Sequence, residues 1–68
     1  MYHLLLAFLS SHHGTLSSDD IFYYFLRRSY SEHQISGVIG YARSRGILQI
    51  VGHKKSTRIK KNVNIYQY

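Results

Sequence analysis

The chain has 68 residues, nine of them lysine or arginine and three aspartate or glutamate, so its formal net charge is +6 at pH 7. This length predicts one domain over residues 1–68, and the absence of cysteine excludes disulfides and thiolate metal sites. The apolar stretch Tyr2–Leu9 is too short to cross a bilayer and lacks the flanks of a signal peptide. We therefore expect a domain inside the cell, in the cytoplasm or nucleoid, with no membrane partner.

The charges are divided unevenly along the chain. All three acidic residues lie in the first half, at Asp19, Asp20 and Glu32. From residue 33 onward there are seven lysines and arginines and no carboxylate, so this half carries +7 and the first 32 residues carry −1. A field of one sign on one part of a small domain favours a polyanionic partner.

The first element is predicted to be a helix over about residues 2–12, with Gly14 placed to terminate it. The residues at helical spacing are Leu5, Phe8, Leu9 and His12. The helix is apolar almost all round, so its surplus apolar residues are either simply exposed or form a dimer surface. A short extended connector, Thr15–Ser17, follows.

A second helix is predicted over about residues 18–28. Ser17 is its predicted N-cap, and Asp19 and Asp20 lie in its first turn, where carboxylates favour the helix dipole. The apolar stripe of this helix is Ile21, Phe22, Phe25 and Leu26.

A third helix is predicted over about residues 31–45. It begins with a capping box formed by Ser31 and Gln34, and Gly46 closes it. Its apolar stripe is Ile35, Val38, Ile39 and Ala42. Only two residues separate Arg28 from Ser31, so the second and third helices meet through a tight turn, as in a helix-turn-helix.

A basic β-hairpin is predicted to end the chain, over about residues 47–68. The hydrophobic period changes there from 3.6 to 2, which indicates strands over 47–52 and 58–68 around a loop near 54–57. With His53 opposite Arg58, one face of the hairpin is apolar and the other is basic and rich in amides. The apolar face is then Leu48, Ile50, Val63 and Ile65, and the polar face is Gln49, His53, Arg58, Lys60, Asn62 and Asn64.

The order of helix, short strand, helix, tight turn, helix and basic hairpin resembles the winged-helix family of helix-turn-helix domains over nearly the whole chain. The most specific part is residues 31–48, SEHQISGVIGYARSRGIL, which is similar to the recognition helix and strand entry of winged-helix transcription regulators. The resemblance implies an α+β fold, a three-helix winged helix-turn-helix with a C-terminal basic hairpin wing. It also implies that the third helix enters the DNA major groove while the wing lies on the backbone or in the minor groove.

The same resemblance implies which residues contact DNA. The solvent-facing set of the third helix is His33, Gln34, Ser36, Gly37, Gly40, Tyr41 and Ser44. Gln34 and Ser36 are expected to read base edges, glutamine preferring adenine, and Tyr41 to donate to a phosphate or stack. The expected phosphate contacts are Arg43 and Arg45 at the helix end and Lys54, Lys55, Arg58, Lys60 and Lys61 in the wing.

Two interior glycines depart from the family pattern, which often has arginine, lysine or asparagine at these positions. Gly37 and Gly40 each cost roughly 0.5–1 kcal/mol relative to alanine in a helix. They serve close approach to DNA, serve close packing against a partner helix, or have no role, and the sequence leaves all three open. Affinity is therefore expected to come mainly from phosphate contacts.

The leading hypothesis is a double-stranded DNA-binding protein, a small transcriptional regulator, with an excisionase-like architectural role as its nearest variant. A regulator of this small size, with no ligand or effector domain in the sequence, would suit a virus or a mobile element. A homodimer through the first helix or the C-terminal strand would roughly double the contact with DNA. The second hypothesis is a protein-interaction module that binds or inhibits a partner through the first helix and the glycine face of the third, and RNA binding is the third.

Catalysis, a metal, a cofactor and a small-molecule ligand are not expected. General acid–base chemistry needs positioned pairs of titratable groups, and the carboxylates are accounted for at helix N-termini. The adjacent His12 and His13 have no carboxylate at ligand spacing.

Overall fold

The computed structural model describes residues 1–12 and 14–68, so the expectation about His13 lies outside the described residues. The elements in chain order are α1 (Tyr2–Ser10), β1 (Thr15–Ser17), α2 (Ser18–Leu26), α3 (Glu32–Ser44), β2 (Gln49–Lys55) and β3 (Asn62–Gln67). In this part of the chain, three helices and a three-stranded antiparallel sheet of order β1–β3–β2 make an α+β fold, a layout compatible with a winged helix. No helix in these two ranges has the length and apolar character that a bilayer span requires.

Capping boxes begin both α2 and α3; the box of α3 and the N-cap Ser17 of α2 are as the sequence predicts, whereas the part of Asp20 in the box of α2 was not predicted. At α2 the Ser17 hydroxyl accepts the Asp20 backbone N–H (3.3 Å) and the Asp20 carboxylate accepts the Ser17 N–H (2.9 Å). At α3 the Ser31 hydroxyl accepts the Gln34 N–H (3.1 Å) and Gln34 Oε1 accepts the Ser31 N–H (2.9 Å). Each box satisfies two backbone donors that a helix start leaves unpaired.

The α1 helix ends at Ser10, two residues before the predicted end. The Ser10 and Ser11 hydroxyls donate to the carbonyls of Ala7 (2.7 Å) and Phe8 (2.8 Å), and these side-chain bonds compete with continued helix. Gly14 has a positive φ of 88°, but it lies beyond the cap residue, so the expectation that it terminates α1 is wrong.

The end of α3 is formed as predicted. Gly46 has a φ of 76° and its N–H donates to the Arg43 carbonyl (3.0 Å), while the Ile47 N–H donates to the Ala42 carbonyl (2.9 Å). This is a Schellman motif, in which a left-handed residue lets two backbone donors fold back on the last carbonyls.

The end of α2 uses the same device without glycine. The helix stops at Leu26, and Ser29 takes the left-handed conformation, with a φ of 68°. The Tyr30 N–H then donates to the Phe25 carbonyl (3.2 Å). A serine in this conformation is strained relative to glycine, so the tight turn between α2 and α3 carries a local cost.

The hairpin register differs from the predicted one. The loop covers residues 56–61, and the pairs flanking it are Lys55 with Asn62 and His53 with Asn64. A bulge between Ile50 and Gly52 adds one residue to β2 and shifts the register. The side chains before the bulge therefore lie on the opposite face of the sheet from the predicted one.

These shifts change the predicted faces. Ile50 lies opposite Tyr66, and Lys54 lies opposite Val63, so Ile50 does not share a face with Val63 and Ile65. The predicted basic face is also wrong, because Arg58 and Lys60 belong to the loop. The alternation of side chains cannot reveal a one-residue bulge, which is why periodicity alone gave the wrong sorting.

The predicted connector is a strand of the sheet. β1 pairs with β3, with Leu16 opposite Tyr66, and both side chains are buried. The sheet therefore joins the start of α2 to the C-terminal strand.

The core lies between the helices and one face of the sheet. The largest fully buried side chains are Phe25, Leu5, Ile21 and Ile35. The apolar members of the predicted α1 and α3 stripes are buried as expected, but Leu26 is exposed because it is the last residue of α2, where the chain turns away.

Candidate nucleic-acid interface

The exposed face of α3 is the one that the sequence predicts. Its exposed members include all seven predicted residues: His33, Gln34, Ser36, Gly37, Gly40, Tyr41 and Ser44. The apolar stripe that ends in Ala42 is buried on the opposite side. This exposed face has short side chains along much of its length.

Gln34 has a structural task that conflicts with its predicted one. Its Oε1 accepts the Ser31 backbone N–H, which holds the side chain against the start of α3 and uses one of the two lone pairs of the oxygen. A bidentate contact with adenine needs both amide atoms in the plane of the base. Reading adenine would therefore have to be compatible with the orientation that the cap imposes, or break the cap.

Tyr41 is half exposed and held in place from two sides. The Tyr2 ring meets it edge to face, with ring centroids 4.9 Å apart, and the Arg45 guanidinium lies 5.7 Å from the Tyr41 ring centroid. These contacts restrict the ring, which stays about half exposed beside an arginine.

The two glycines of α3 face open space. A Cβ added at Gly37 or Gly40 would meet no atom within 4 Å. No packing among the described residues therefore requires glycine at either position, and the helix backbone is accessible there.

The hairpin loop is tied to the start of α2 by a buried carboxylate. Asp19 is 2% exposed, and its oxygens accept the Ser56 hydroxyl (2.8 Å) and the Thr57 backbone N–H (2.9 Å). The Thr57 hydroxyl also lies 3.0 Å from the Tyr23 hydroxyl of α2. Burial by itself would raise the pKa of Asp19, but the hydrogen bonds from Thr57 and Ser56 and the positive charges of Arg58 and Lys54 outweigh it and lower the pKa.

The Ser56 hydroxyl also organises the loop itself. It accepts the backbone N–H groups of Arg58 (2.9 Å) and Ile59 (3.0 Å), and the Ser56 N–H donates to the Lys61 carbonyl (3.0 Å). One hydroxyl thus links the loop backbone to the Asp19 carboxylate. The loop is fixed on the body of the domain at this point.

Arg58 is the third component of this connection. Its Nε lies 3.7 Å from Asp19, its Nη1 donates to Glu32 at the start of α3, and its guanidinium stacks 4.0 Å from the centroid of the Phe22 ring. The side chain is only 15% exposed. Asp19, Glu32, Ser56, Thr57 and Arg58 are called the Asp19 cluster below.

The Asp19 cluster adds to two predictions. Arg58, a predicted DNA contact, has its guanidinium beside two carboxylates and a ring, and its contact with DNA stays a prediction. Asp19 lies in the first turn of α2 as predicted, but Asp20 makes the cap, and Asp19 binds a loop 37 residues away. The sequence gives one sign that this loop binds a carboxylate, which is the pair of hydroxyl residues Ser56 and Thr57 next to Arg58.

The remaining predicted cations are exposed. None of them has an ion pair within residues 1–12 and 14–68, because the salt bridges there all involve Arg58. They are Arg43, Arg45, Lys54, Lys55, Lys60 and Lys61. Sequence reasoning left out Arg27 and Arg28, which are also exposed at the end of α2, with Arg28 4.3 Å from the Tyr24 ring centroid.

No group of three metal-ligating side chains is assembled among the described residues. Comparisons of the chain with protein-family models, with curated proteins and with solved structures find no match.

Proposed function

We propose that this protein is a small winged-helix transcriptional regulator that binds double-stranded DNA. The observation that carries the proposal is the set of six exposed cations without ion pairs, all in the C-terminal half of the chain. Two of the three carboxylates contact Arg58 and the third caps α2, so the acids within the domain leave this set unneutralised. A set of this kind suits the phosphates of a nucleic acid.

In this proposal α3 lies in the major groove and the hairpin lies along the backbone or in the minor groove. Arg43 and Arg45 contact phosphates from the end of α3, and Lys54 and Lys55 do so from the hairpin. Because Gln34 is held in its capping box, base reading falls mainly on short side chains such as Ser36, and discrimination among sequences is weak.

The electrostatic part of the proposal has a measurable magnitude. If all six cations neutralise a phosphate each, the logarithm of the binding constant falls with the logarithm of salt concentration with a slope of about −5. Binding is then tight at low salt and weak at physiological salt.

Two copies associate, in the same proposal, through an uncharged apolar surface. A groove of about 480 Å³ beside α1 is lined by Leu6, Leu9, Ile47 and Tyr68 together with Ser10, His12 and Gly46. None of these is a lysine, arginine or carboxylate, so contact here brings no lysine or arginine of the lining of one copy against that of the other, although each chain has a net charge of +6. Sedimentation equilibrium of the wild type and of Leu6→Ser tests this, and a monomer at high concentration contradicts it.

Fluorescence anisotropy with a labelled duplex at several salt concentrations tests DNA binding. We expect Lys54→Ala with Lys55→Ala to weaken binding to all sequences and to reduce the salt slope by about 2. The variant Arg27→Ala with Arg28→Ala, equal in charge, should lose less. Absence of binding to duplex at micromolar protein and low salt would refute the proposal, and tighter binding to structured RNA would favour the RNA alternative.

A further inference from the structure

A groove separates the C-terminal half of α3 from the start of β2. It has a volume of about 480 Å³ and is lined by Gly40, Arg43, Ser44, Leu48 and Ile50. Beyond Gly40 and Arg43 it continues into a depression of about 210 Å³ that reaches Ser36 and Tyr66. The α3 wall of the groove runs from Ser36 to Ser44. Since an α-helix rises about 1.5 Å per residue, this wall is about 12 Å long. It is called the α3–β2 groove below.

Exposed aliphatic side chains lie on β2, where Ile50 lines the groove and Val51 follows it in the chain. Ile50 is 39% exposed and Val51, displaced by the bulge, is 51% exposed. β2 is also an edge strand, and among the described residues its outer edge has no strand partner. Proteins usually protect such an edge with charge or cover, so two neighbouring exposed aliphatic residues favour a surface that is covered by a partner.

The surroundings of the groove are cationic. Arg43 belongs to its α3 wall, and Lys54 and Lys55 follow along β2. None of the three has an ion pair in the described part of the chain. The groove therefore has one exposed isoleucine on its β2 side, with cations around it that favour carboxylates.

We propose that the α3–β2 groove binds an extended segment of a partner protein in which apolar and acidic side chains alternate. In an extended chain successive side chains point to opposite sides. A segment paired along the free edge of β2 can therefore place its apolar side chains on the face of the sheet that bears Ile50 and its carboxylates on the opposite face, where Lys54 lies. About four extended residues span the 12 Å wall, and an edge strand can add such a segment through its free backbone groups.

A polypeptide fits these features better than DNA does. The major-groove edge of DNA offers aliphatic contact only through thymine methyl groups, which does not account for exposed side chains at both Ile50 and Val51. Neither proposal requires the other, but Arg43, Lys54 and Lys55 contact phosphates in the DNA-binding proposal, so peptide and DNA would compete for this surface.

The test is a binding titration with three labelled peptides of about 12 residues. The first has leucine at every second position with glutamate and serine between, the second replaces leucine with serine, and the third replaces glutamate with lysine. We expect the first to bind in the micromolar range and the other two at least about tenfold more weakly. Equal binding of the acidic peptide without leucine would show a simple polyanion effect and overturn the proposal.

Substitutions locate the contact. The double variant Ile50→Thr with Val51→Thr keeps β-branched side chains and should weaken binding of the first peptide about tenfold or more. Ile59→Thr is the matched control, because Ile59 is 38% exposed but lies in the loop. Gly40→Leu should block the groove from the helix wall, since a side chain there enters open space, and it keeps the test valid if the double variant folds poorly.

Other occupants of the groove give different results. If the double variant loses DNA affinity as strongly as peptide affinity, the groove holds DNA. If the wild type is a dimer and the double variant a monomer, the groove holds a second copy. Either result, or peptide binding that survives both the double variant and Gly40→Leu, overturns the proposal.

Discussion

Asp19→Asn is the substitution that probes the Asp19 cluster most directly. It preserves shape but removes the negative charge beside Arg58, and it leaves an amide group where one oxygen now accepts the Thr57 N–H or the Ser56 hydroxyl. Hydrogen bonds to a charged group contribute about 1.5–3 kcal/mol each, and breaking a buried ion pair costs about 3–5 kcal/mol. Glu32 still pairs with Arg58 and solvent is close in so small a domain, so we expect the low end, about 2 kcal/mol.

This loss is large for a chain of 68 residues, whose total stability is about 3–10 kcal/mol at typical values per residue. It corresponds to a fall in Tm of about 8–16 °C. Thermal and urea unfolding followed by circular dichroism measure it. Asp20→Asn is the matched control, because its amide oxygen can still accept the Ser17 N–H, and it should cost about 0.5 kcal/mol or less. Equal destabilisation by the two substitutions would refute the role of Asp19 as the loop anchor.

The pH dependence of stability gives a second test of the same cluster. The pKa of Asp19 is lowered in the folded state, so the folded protein binds a proton there less readily than the unfolded chain does. Its stabilisation is therefore fully present above the unfolded pKa of about 3.9 and is lost as the pH falls through the folded pKa. The stability gap between wild type and Asp19→Asn should be constant near neutral pH and should shrink below about pH 4. A gap that is unchanged at low pH would mean that the charge of Asp19 contributes nothing.

Five further substitutions test stability and DNA binding. Arg58→Ala should lower the free energy of unfolding by about 1–2 kcal/mol, because it leaves the Asp19 carboxylate without its cation. Lys60→Ala should leave the free energy of unfolding unchanged and weaken DNA binding. The reverse pattern would contradict the roles given to Arg58 in the fold and to Lys60 in binding. Gly37→Ala and Gly40→Ala should each stabilise the protein by about 0.5–1 kcal/mol, and reduced duplex affinity in the stabilised variants would support close approach of α3 to DNA. Ser29→Gly should raise the free energy of unfolding by about 0.5–1 kcal/mol, because glycine adopts the left-handed backbone without strain. An unchanged or lower free energy in urea unfolding would contradict a strained backbone at Ser29.

Local features of the sequence were sufficient for the helices. A capping box joins residues three apart, as Ser31 and Gln34 do, and a Schellman motif joins residues within two turns, as at Gly46. Such signals involve neighbours in the chain, so the starts of α2 and α3 and the end of α3 could be predicted correctly. The exposed face of α3 followed from the same periodicity.

The hairpin and the charges could not be assigned in this way. The bulge at Val51 adds one residue without changing the pattern of apolar residues in its neighbourhood, so the register of β2 against β3 depended on pairing in the folded sheet. The contact of Asp19 with Ser56 spans 37 residues, and no local spacing encodes it.

By itself, the sequence determined the three helices, the N-caps of α2 and α3, the end of α3, the tight turn and the excess of positive charge in the second half, because each of these depends on neighbouring residues or on composition. Only the tertiary structure decided which charges are available. It buries Asp19 against the loop and leaves Arg58 only 15% exposed, while the other eight lysines and arginines stay exposed without ion pairs in the described part of the chain. The physical reason is that a carboxylate removed from water needs hydrogen bonds and a cation, and folding supplied them from residues distant in the sequence.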